Sequence, residues 1–259
     1  MWRRRNSGAL PLTGPLTSPL ISPLIIGHRG ASAIESENSV GAFARARTDG
    51  ADGVELDAMI CGTGEVIVFH DDDLVRLGRR PERIRETSFA VLRGVTLTSG
   101  ATIPTLEEVF EACGPDLLVN VELKVPSHGP VVLAPLVDGV AAIVERAGAT
   151  GRVLVSSFNP WAVRLWMRRT PAVPAGLLFE REASLPLRRA WAAPILRPFA
   201  LHPELVLCTP ERVTGWHRRG YMVNVWTVDD AASLAACRRM GVDAVITNDP
   251  AKSRASLAG

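Results

Sequence analysis

Lysine is nearly missing from this chain: only Lys124 and Lys252 occur among 29 basic residues. The arginines that make up the rest are scattered along the sequence. Set against 27 acidic residues they leave a net charge of +2, which gives no case for a nucleic-acid partner. Cysteine is scarce as well. Cys61, Cys113, Cys208 and Cys237 stand alone, which excludes a disulfide frame and a cysteine zinc site and reads as isolated thiols of a reducing, cytoplasmic compartment. No apolar run approaches the ~20 residues of a membrane span, so no integral membrane segment is expected. No glycine-rich nucleotide fingerprint follows any strand-like run, which argues against a doubly wound dinucleotide-binding sheet.

What is present is a regular alternation of strand and helix signals. With 47% hydrophobic residues, a chain of 259 can bury a large core, either one α/β barrel or two smaller domains. Residues 1–23 begin Trp2-Arg3-Arg4-Arg5 and continue through Pro11, Pro15, Pro19 and Pro23. The arginines resemble the start of a secretion signal, but the prolines break its apolar segment. A poorly ordered leader is expected there, with secretion or membrane association the lesser alternative to the cytoplasm. Residues 24–259 are expected to form a single domain.

Strands are predicted at Leu24–His28, Val54–Ala58, Val66–Phe69, Leu117–Lys124, Arg152–Ser156, Pro174–Phe179, Phe199–Pro203, Tyr221–Thr227 and Ala244–Thr247. Only a short Cys61-Gly62-Thr63-Gly64 turn separates the second from the third, so those two are expected to pair as a hairpin. Helices are predicted from Val40 after an Asn38 or Ser39 cap, from Thr105 with Glu108 completing a capping box, and from Pro130 to Ala147. Others are expected near Asn159-Pro160, over Pro210–Arg219 and over Asp229–Met240. Residues 72–103 read as an insertion over one face, and 180–197 carry no clear signal. About eight βα units in a chain of this length predict a TIM (β/α)8 barrel.

In such a barrel the reactive groups lie at the carboxyl ends of the strands. The polar residues at those ends are His28, Arg29, Glu55, Asp57, His70, Glu122, Lys124 and Trp226. Side chains alternate along a strand, so Glu55 and Asp57 share one face, and so do Glu122 and Lys124. Neighbouring carboxylates are costly unless a cation or proton neutralises them. Three carboxylates without cysteine suit one hard divalent cation, Mg²⁺ or Ca²⁺, better than zinc. The two histidines are then free for proton transfer, and Arg29 and Lys124 for an anionic substrate.

The ordered set of motifs resembles the glycerophosphodiester phosphodiesterase family. It runs Gly27-His28-Arg29-Gly30, Glu37-Asn38-Ser39, Val54-Glu55-Leu56-Asp57, Phe69-His70-Asp71 and Ile103-Pro104-Thr105-Leu106-Glu107-Glu108. It continues with Val121-Glu122-Leu123-Lys124, Val225-Trp226-Thr227-Val228 and Gly241-Val242-Asp243-Ala244-Val245-Ile246-Thr247. The resemblance spans residues 24–251. It implies a TIM barrel with a small insertion after the second histidine, and metal-dependent hydrolysis of small glycerophosphodiesters to sn-glycerol 3-phosphate and an alcohol. It further implies Glu55, Asp57 and Glu122 as metal ligands and His28 and His70 as the acid/base pair. Arg29 and Lys124 would hold the phosphate, and Trp226 would wall the glycerol side. Apart from the resemblance, Glu37 is placed to orient Arg29 or approach the metal, and Asp71 to orient a neighbouring side chain.

The chain also departs from the family pattern. Asp71-Asp72-Asp73-Leu74-Val75-Arg76-Leu77 lacks the usual Arg-Thr-Thr run, Ile34-Glu35-Ser36 replaces a proline, and His202 stands where asparagine is common. These changes spare the chemistry and leave the alcohol group open. Oligomeric state is equally open. Blander roles compete: Glu37 as a helix-start charge, Trp226 as core filler, Lys124 as a surface lysine, His202 as a structural histidine. The competing functions are a lysophospholipase D-like or cyclising lipid phosphodiesterase with an apolar entrance, and a catalytically silent anion-binding barrel.

Overall fold

A computed structural model describes residues 22–125 and 133–258. Nine strands appear: β1 (Leu24–His28), β2 (Gly53–Ile60), β3 (Val66–Val68), β4 (Leu118–Leu123), β5 (Val153–Ser157), β6 (Ala175–Phe179), β7 (Ala200–Pro203), β8 (Met222–Val225) and β9 (Ala244–Thr247). Eight of them pair in parallel in the order β1-β9-β8-β7-β6-β5-β4-β2, and β1 pairs with β2 to close the ring. The result is a TIM barrel. The remaining strand, β3, folds back antiparallel on β2, with Ala58 opposite Val68, as the short Cys61–Gly64 turn requires. Of the expected leader, residues 1–23, the first 21 lie outside the described residues. So does the start of the helix expected from Pro130, which is described as Leu133–Arg146.

Helix starts follow local chemistry. Ser39, not Asn38, caps Val40–Thr48 by accepting from the Ala42 amide at 3.1 Å. Thr105 and Glu108 complete the reciprocal capping box of Leu106–Cys113. Asn159 and Thr209 each cap a helix whose first residue is proline, where the missing amide proton costs nothing.

The barrel wall separates two environments. Outward-facing Val54, Leu56, Val119, Val121, Val153, Val155 and Leu177 pack against the helices through Phe43, Phe110, Val140 and Trp166. Full burial of each large side chain in this layer contributes about 1.5–3 kcal/mol. Inside, Ile26, Leu118, Leu154, Ala200, Met222 and Ala244 form the apolar part of the barrel interior. Two residues further along their strands, and therefore also inward, lie Asn120, Ser156, His202 and Asn224, all buried.

Residues 72–103 are not an open loop. They contain the short helices Val75–Gly78 and Phe89–Arg93, and Leu74, Ile84, Leu92, Val95 and Leu97 pack with Met59, Ile67 and Phe69 in a separate small core. That core braces the end of β3, where His70 begins. Residues 180–197 form two single-turn helices, Leu185–Arg188 and Ala193–Leu196, too short to give a periodic signal.

His202 illustrates how tight the interior is. Its Nε2 lies 3.0 Å from the Asn224 amide nitrogen, so Nε2 accepts and the ring proton sits on Nδ1, which has no partner among the described residues. The ring fills the space left by Gly176, where an added Cβ would stand 2.6 Å from Nε2. Burial pushes the imidazole down to about 3, from 6.5. Unfolding between those values takes up a proton, so this stability is complete above pH 6.5 and is lost as pH falls toward 3. The slope reaches up to roughly 1.4 kcal/mol per pH unit. Melting temperatures of the protein and of His202→Asn, measured from pH 7 to pH 5, are expected to fall more steeply for the former. Equal slopes would show that His202 takes up its proton in the folded state as readily as in the unfolded one.

Candidate active site

The turn after β1 sets the site. At Gly27 an added Cβ would lie 2.8 Å from the Gly30 carbonyl oxygen, and at Gly30, with φ +87°, one would lie 2.6 Å from the Ala42 backbone. Only glycine lets this turn press so closely on the following helix. Between these glycines, His28 ends the strand and Arg29 is held at φ 53°. The Arg29 amide then donates to Glu55 Oε2 at 3.0 Å, its Nη1 to Glu37 Oε1 at 2.8 Å, and its Nε lies 3.2 Å from Asp57 Oδ2.

In-register pairing of β2 with β4 places Asp57 beside Glu122 and Glu55 beside Asn120. Glu55, Asp57 and Glu122 each present a ligand atom, all within 4.8 Å of one another, and all three residues are buried. This cluster can hold a metal ion. Burial pushes the Glu55 carboxyl well up, with repulsion from Asp57 and Glu122 adding to it. Burial pushes Glu122 up as well, against the pull of Lys124. Lys124 lies 3.3 Å from Glu122 and 3.7 Å from Asp57; against its own burial, those carboxylates hold its ammonium above the ordinary value.

The two histidines are fixed by different partners. His28 Nδ1 lies 2.7 Å from Asn248 Oδ1. Asn248 cannot turn, because its Nδ2 and backbone amide both donate to Asp229 at 2.6 and 2.7 Å. His28 therefore donates through Nδ1 and keeps the Nε2 lone pair free, 4.0 Å from Glu55 Oε2. His70 Nδ1 lies 2.7 Å from Asp71 Oδ1, so a carboxylate accepts from it. Burial depresses both imidazoles; the Arg29 charge adds to this at His28, and the Lys124 and Arg29 charges add to it at His70.

Glu37 and Asp71 are joined by Arg76. Its Nη1 and Nη2 reach Glu37 at 2.9 and 2.6 Å, and its Nε reaches Asp71 at 2.6 Å. Despite partial burial, Arg76 and Arg29 hold Glu37 down to about 2. Trp226 lies one residue beyond β8. Its indole donates to the His202 carbonyl at 2.8 Å and meets Phe158 edge to face at 5.6 Å. His28, Arg29, Glu55, His70, Glu122, Lys124 and Trp226 all line one cavity of about 780 Å³, whose opposite wall includes Phe158, Trp161, Phe179 and Glu180. Asp57 lies at the same strand end but below the cavity lining, and Glu37 and Asp71 stand behind the residues that form it.

Sequence reasoning did not pick out Asn38, Asn248, Asp229 or Arg76. Asn248 directly follows the last strand, a position that could have flagged it. Arg76 gives no signal, because its partners are 5 and 39 residues away.

Residues 28–252 match the model of the glycerophosphoryl diester phosphodiesterase family. A glycerophosphodiester phosphodiesterase of Caldanaerobacter subterraneus subsp. tengcongensis is 33% identical over 235 residues, covering 87% of this chain and 94% of the relative. A probable glycerophosphodiester phosphodiesterase 2 of Mycobacterium tuberculosis is 31% identical, with 85% of each covered. Among solved structures, an Oleispira antarctica phosphodiesterase in complex with the product sn-glycerol-3-phosphate superposes with a TM-score of 0.80 at 25% identity, covering 92% of this chain and 98% of that one.

Asn38 offers a direct test of how this site is held. It adopts φ 57°, donates to Asp57 Oδ2 at 2.7 Å and accepts from the Asp57 amide at 3.3 Å. Asn38→Ala is expected to lose about 2–3 kcal/mol in urea denaturation, from a buried hydrogen bond to a carboxylate plus left-handed strain. Asn38→Gly relieves the strain alone and should fall between; an alanine variant as stable as the parent would show that Asp57 is held by other groups. By the extent and identity of these matches, the chain belongs to the glycerophosphoryl diester phosphodiesterase family.

Proposed function

We propose that this protein hydrolyses small glycerophosphodiesters to sn-glycerol 3-phosphate and an alcohol. Catalysis would use one divalent cation at Glu55, Asp57 and Glu122, with proton transfer by His28 and His70. The observation that carries this reading is the convergence of three buried carboxylates, two oriented imidazoles and two cations on one cavity. The product held by the Oleispira antarctica relative supports the choice of substrate.

The donor set fits Mg²⁺ or Ca²⁺, since every candidate ligand is a carboxylate oxygen and the cluster is short of positive charge. When bound, such an ion supplies Lewis-acid polarisation of the phosphate oxygens and neutralises charge. Arg29 and Lys124 hold the phosphodiester anion and orient it between the histidines. His28, donating to a neutral amide and keeping its Nε2 lone pair, removes the proton from the nucleophile, which is water or the glycerol 2-hydroxyl. His70, backed by the Asp71 carboxylate that favours the imidazolium, returns a proton to the leaving alkoxide. Glu37 and Asp71, tied through Arg76, keep Arg29 and His70 in place, and Trp226 walls the glycerol side.

His28→Ala and His70→Ala are each expected to reduce turnover of glycerophosphodiesters by about 10²–10⁴. With a p-nitrophenyl ester, whose leaving group needs no proton, His70→Ala should recover most of its rate while His28→Ala stays slow. Near-normal rates in both variants, or equal losses on both substrates, would refute the division of labour. A silent anion-binding barrel would release no product from any substrate.

Metal binding is expected to stabilise the protein by RT ln(1 + [L]/Kd), about 2.7 kcal/mol at a hundredfold excess over Kd. Thermal melts with Mg²⁺, with Ca²⁺ and with EDTA read this directly, and Glu122→Gln should shrink the shift. A melting temperature indifferent to EDTA would remove the metal from the mechanism.

A further inference from the structure

The cavity is much larger than the phosphate end requires, and its two sides differ in character. On one side stand the carboxylate cluster, both histidines, Arg29 and Lys124. The other side is made by Phe158, Pro160, Trp161, Phe179, Glu180 and Ala183 from the ends of β5 and β6. The Phe179 ring turns outward onto Trp216, so the aromatic side chains of this wall are Phe158 and Trp161, and among its described residues Glu180 alone is ionisable.

Trp161 follows Pro160 at the first turn of the helix Pro160–Arg169, and its side chain is left 70% exposed at the cavity edge. So exposed, the ring adds little to the packing of the fold, and it borders the space that a substrate would enter. Phe158, on the same lining, meets the Trp226 ring edge to face at 5.6 Å. Glu180 makes no hydrogen bond or ion pair with the described residues. The charges that act on it most are the like charges of Glu204 and Glu182, with Lys124 acting in the opposite sense more weakly. Glu204 itself is engaged, accepting from the Arg181 backbone amide at 2.7 Å. The cationic side chains at the phosphate end are also committed, Lys124 to Glu122 and Asp57, and Arg29 to Glu37 and Asp57. Among the described residues one cavity carboxylate therefore remains without a close countercharge, on the wall that carries Phe158 and Trp161.

Aromatic side chains and a carboxylate on one cavity wall suit an organic cation, and they favour a quaternary or primary ammonium over a neutral polyol. We infer that the Phe158–Trp161–Glu180 wall binds the alcohol half of the substrate and selects phosphodiesters whose alcohol carries an ammonium group. This deepens the proposed function and rests on it, since the phosphate and glycerol must occupy the opposite side. A zwitterionic diester then matches the cavity end to end, its anion toward Arg29 and Lys124 and its cation toward Glu180.

The test compares kcat/KM of the full-length protein with Mg²⁺ for glycerophosphocholine, glycerophosphoethanolamine, glycerophosphoglycerol and glycerophosphoinositol. Preference for the first two by about tenfold or more is expected. Glu180→Gln and Trp161→Ala should each reduce the ratio of choline to glycerol diester by about tenfold, carried mainly by KM for the choline diester. Retention of that ratio in both variants would overturn the inference, as would equal rates on all four diesters, while leaving the proposed function intact. Hydrolysis of none of the four would overturn the function itself and this inference with it. A raised rate on the glycerol diester in Glu180→Gln would further support a carboxylate that discriminates by charge.

Discussion

Three carboxylates held within 4.8 Å of each other at the mouth of a closed barrel are the constraint around which the rest of this site is arranged. Like charges so close in a buried place repel strongly, and a rigid frame has to hold them together. The barrel supplies that frame. β2 and β4 are neighbours over six paired residues, from Gly53 with Leu118 to Ala58 with Leu123, so Asp57 and Glu122 cannot move apart without breaking the ladder. The cost is met by an outer wall of valine, leucine and phenylalanine packed on the helices.

Relief of the repulsion is organised in rings around the cluster. Arg29, Lys124 and Asn38 touch the carboxylates directly. Glu37 holds Arg29, Arg76 holds Glu37, and the same Arg76 holds Asp71, which in turn holds His70. This chain of charges connects the turn after β1 to the insertion after β3. The chain runs from Arg29, the neighbour of His28 in sequence, to His70, and it passes through a single guanidinium. Leu74, two residues before Arg76, is buried in the small core of the insertion with Ile84 and Leu92, which anchors the backbone that carries this guanidinium.

Much of this was legible in the sequence, and the reasons are physical. The strands announce themselves because parallel strands covered on both faces read as short β-branched runs, and polar residues at their ends stand out against that background. Glu55, Asp57 and Glu122 could be grouped because side-chain alternation is invariant along a strand. Arg76 could not be found, since its partners are fixed by a loop that has no periodicity. The same holds for Asn248, whose role depends on Asp229 turning its amide. Trp226 was placed within a strand, but β8 ends at Val225, and its indole hangs from the first residue of the following loop. Residues 180–197 gave no signal because single-turn helices are too short to show one.

The interior beneath the mouth explains why charge compensation must come from above. Barrel interiors are usually filled by branched apolar side chains. Here Asn120 precedes Glu122 by two residues and Ser156 pairs with it in register, while His202 and Asn224 complete the polar zone from the far side. All four are neutral. Neither amide atom of Asn120, nor Ser156 Oγ, nor Asn224 Oδ1 has a partner among the described residues. A buried polar side chain stabilises less than a branched apolar one unless it is hydrogen-bonded. This zone cannot neutralise the carboxylates, for it holds dipoles and a neutral imidazole but no cation. The countercharges therefore lie at the solvent-facing side, on Arg29 and Lys124. Anything that completes the balance must enter through the same opening as the substrate. Among the described residues the site is closed from below by the layer of Ile26, Leu118, Leu154 and Met222, and its cavity lies on the side that carries Arg29 and Lys124.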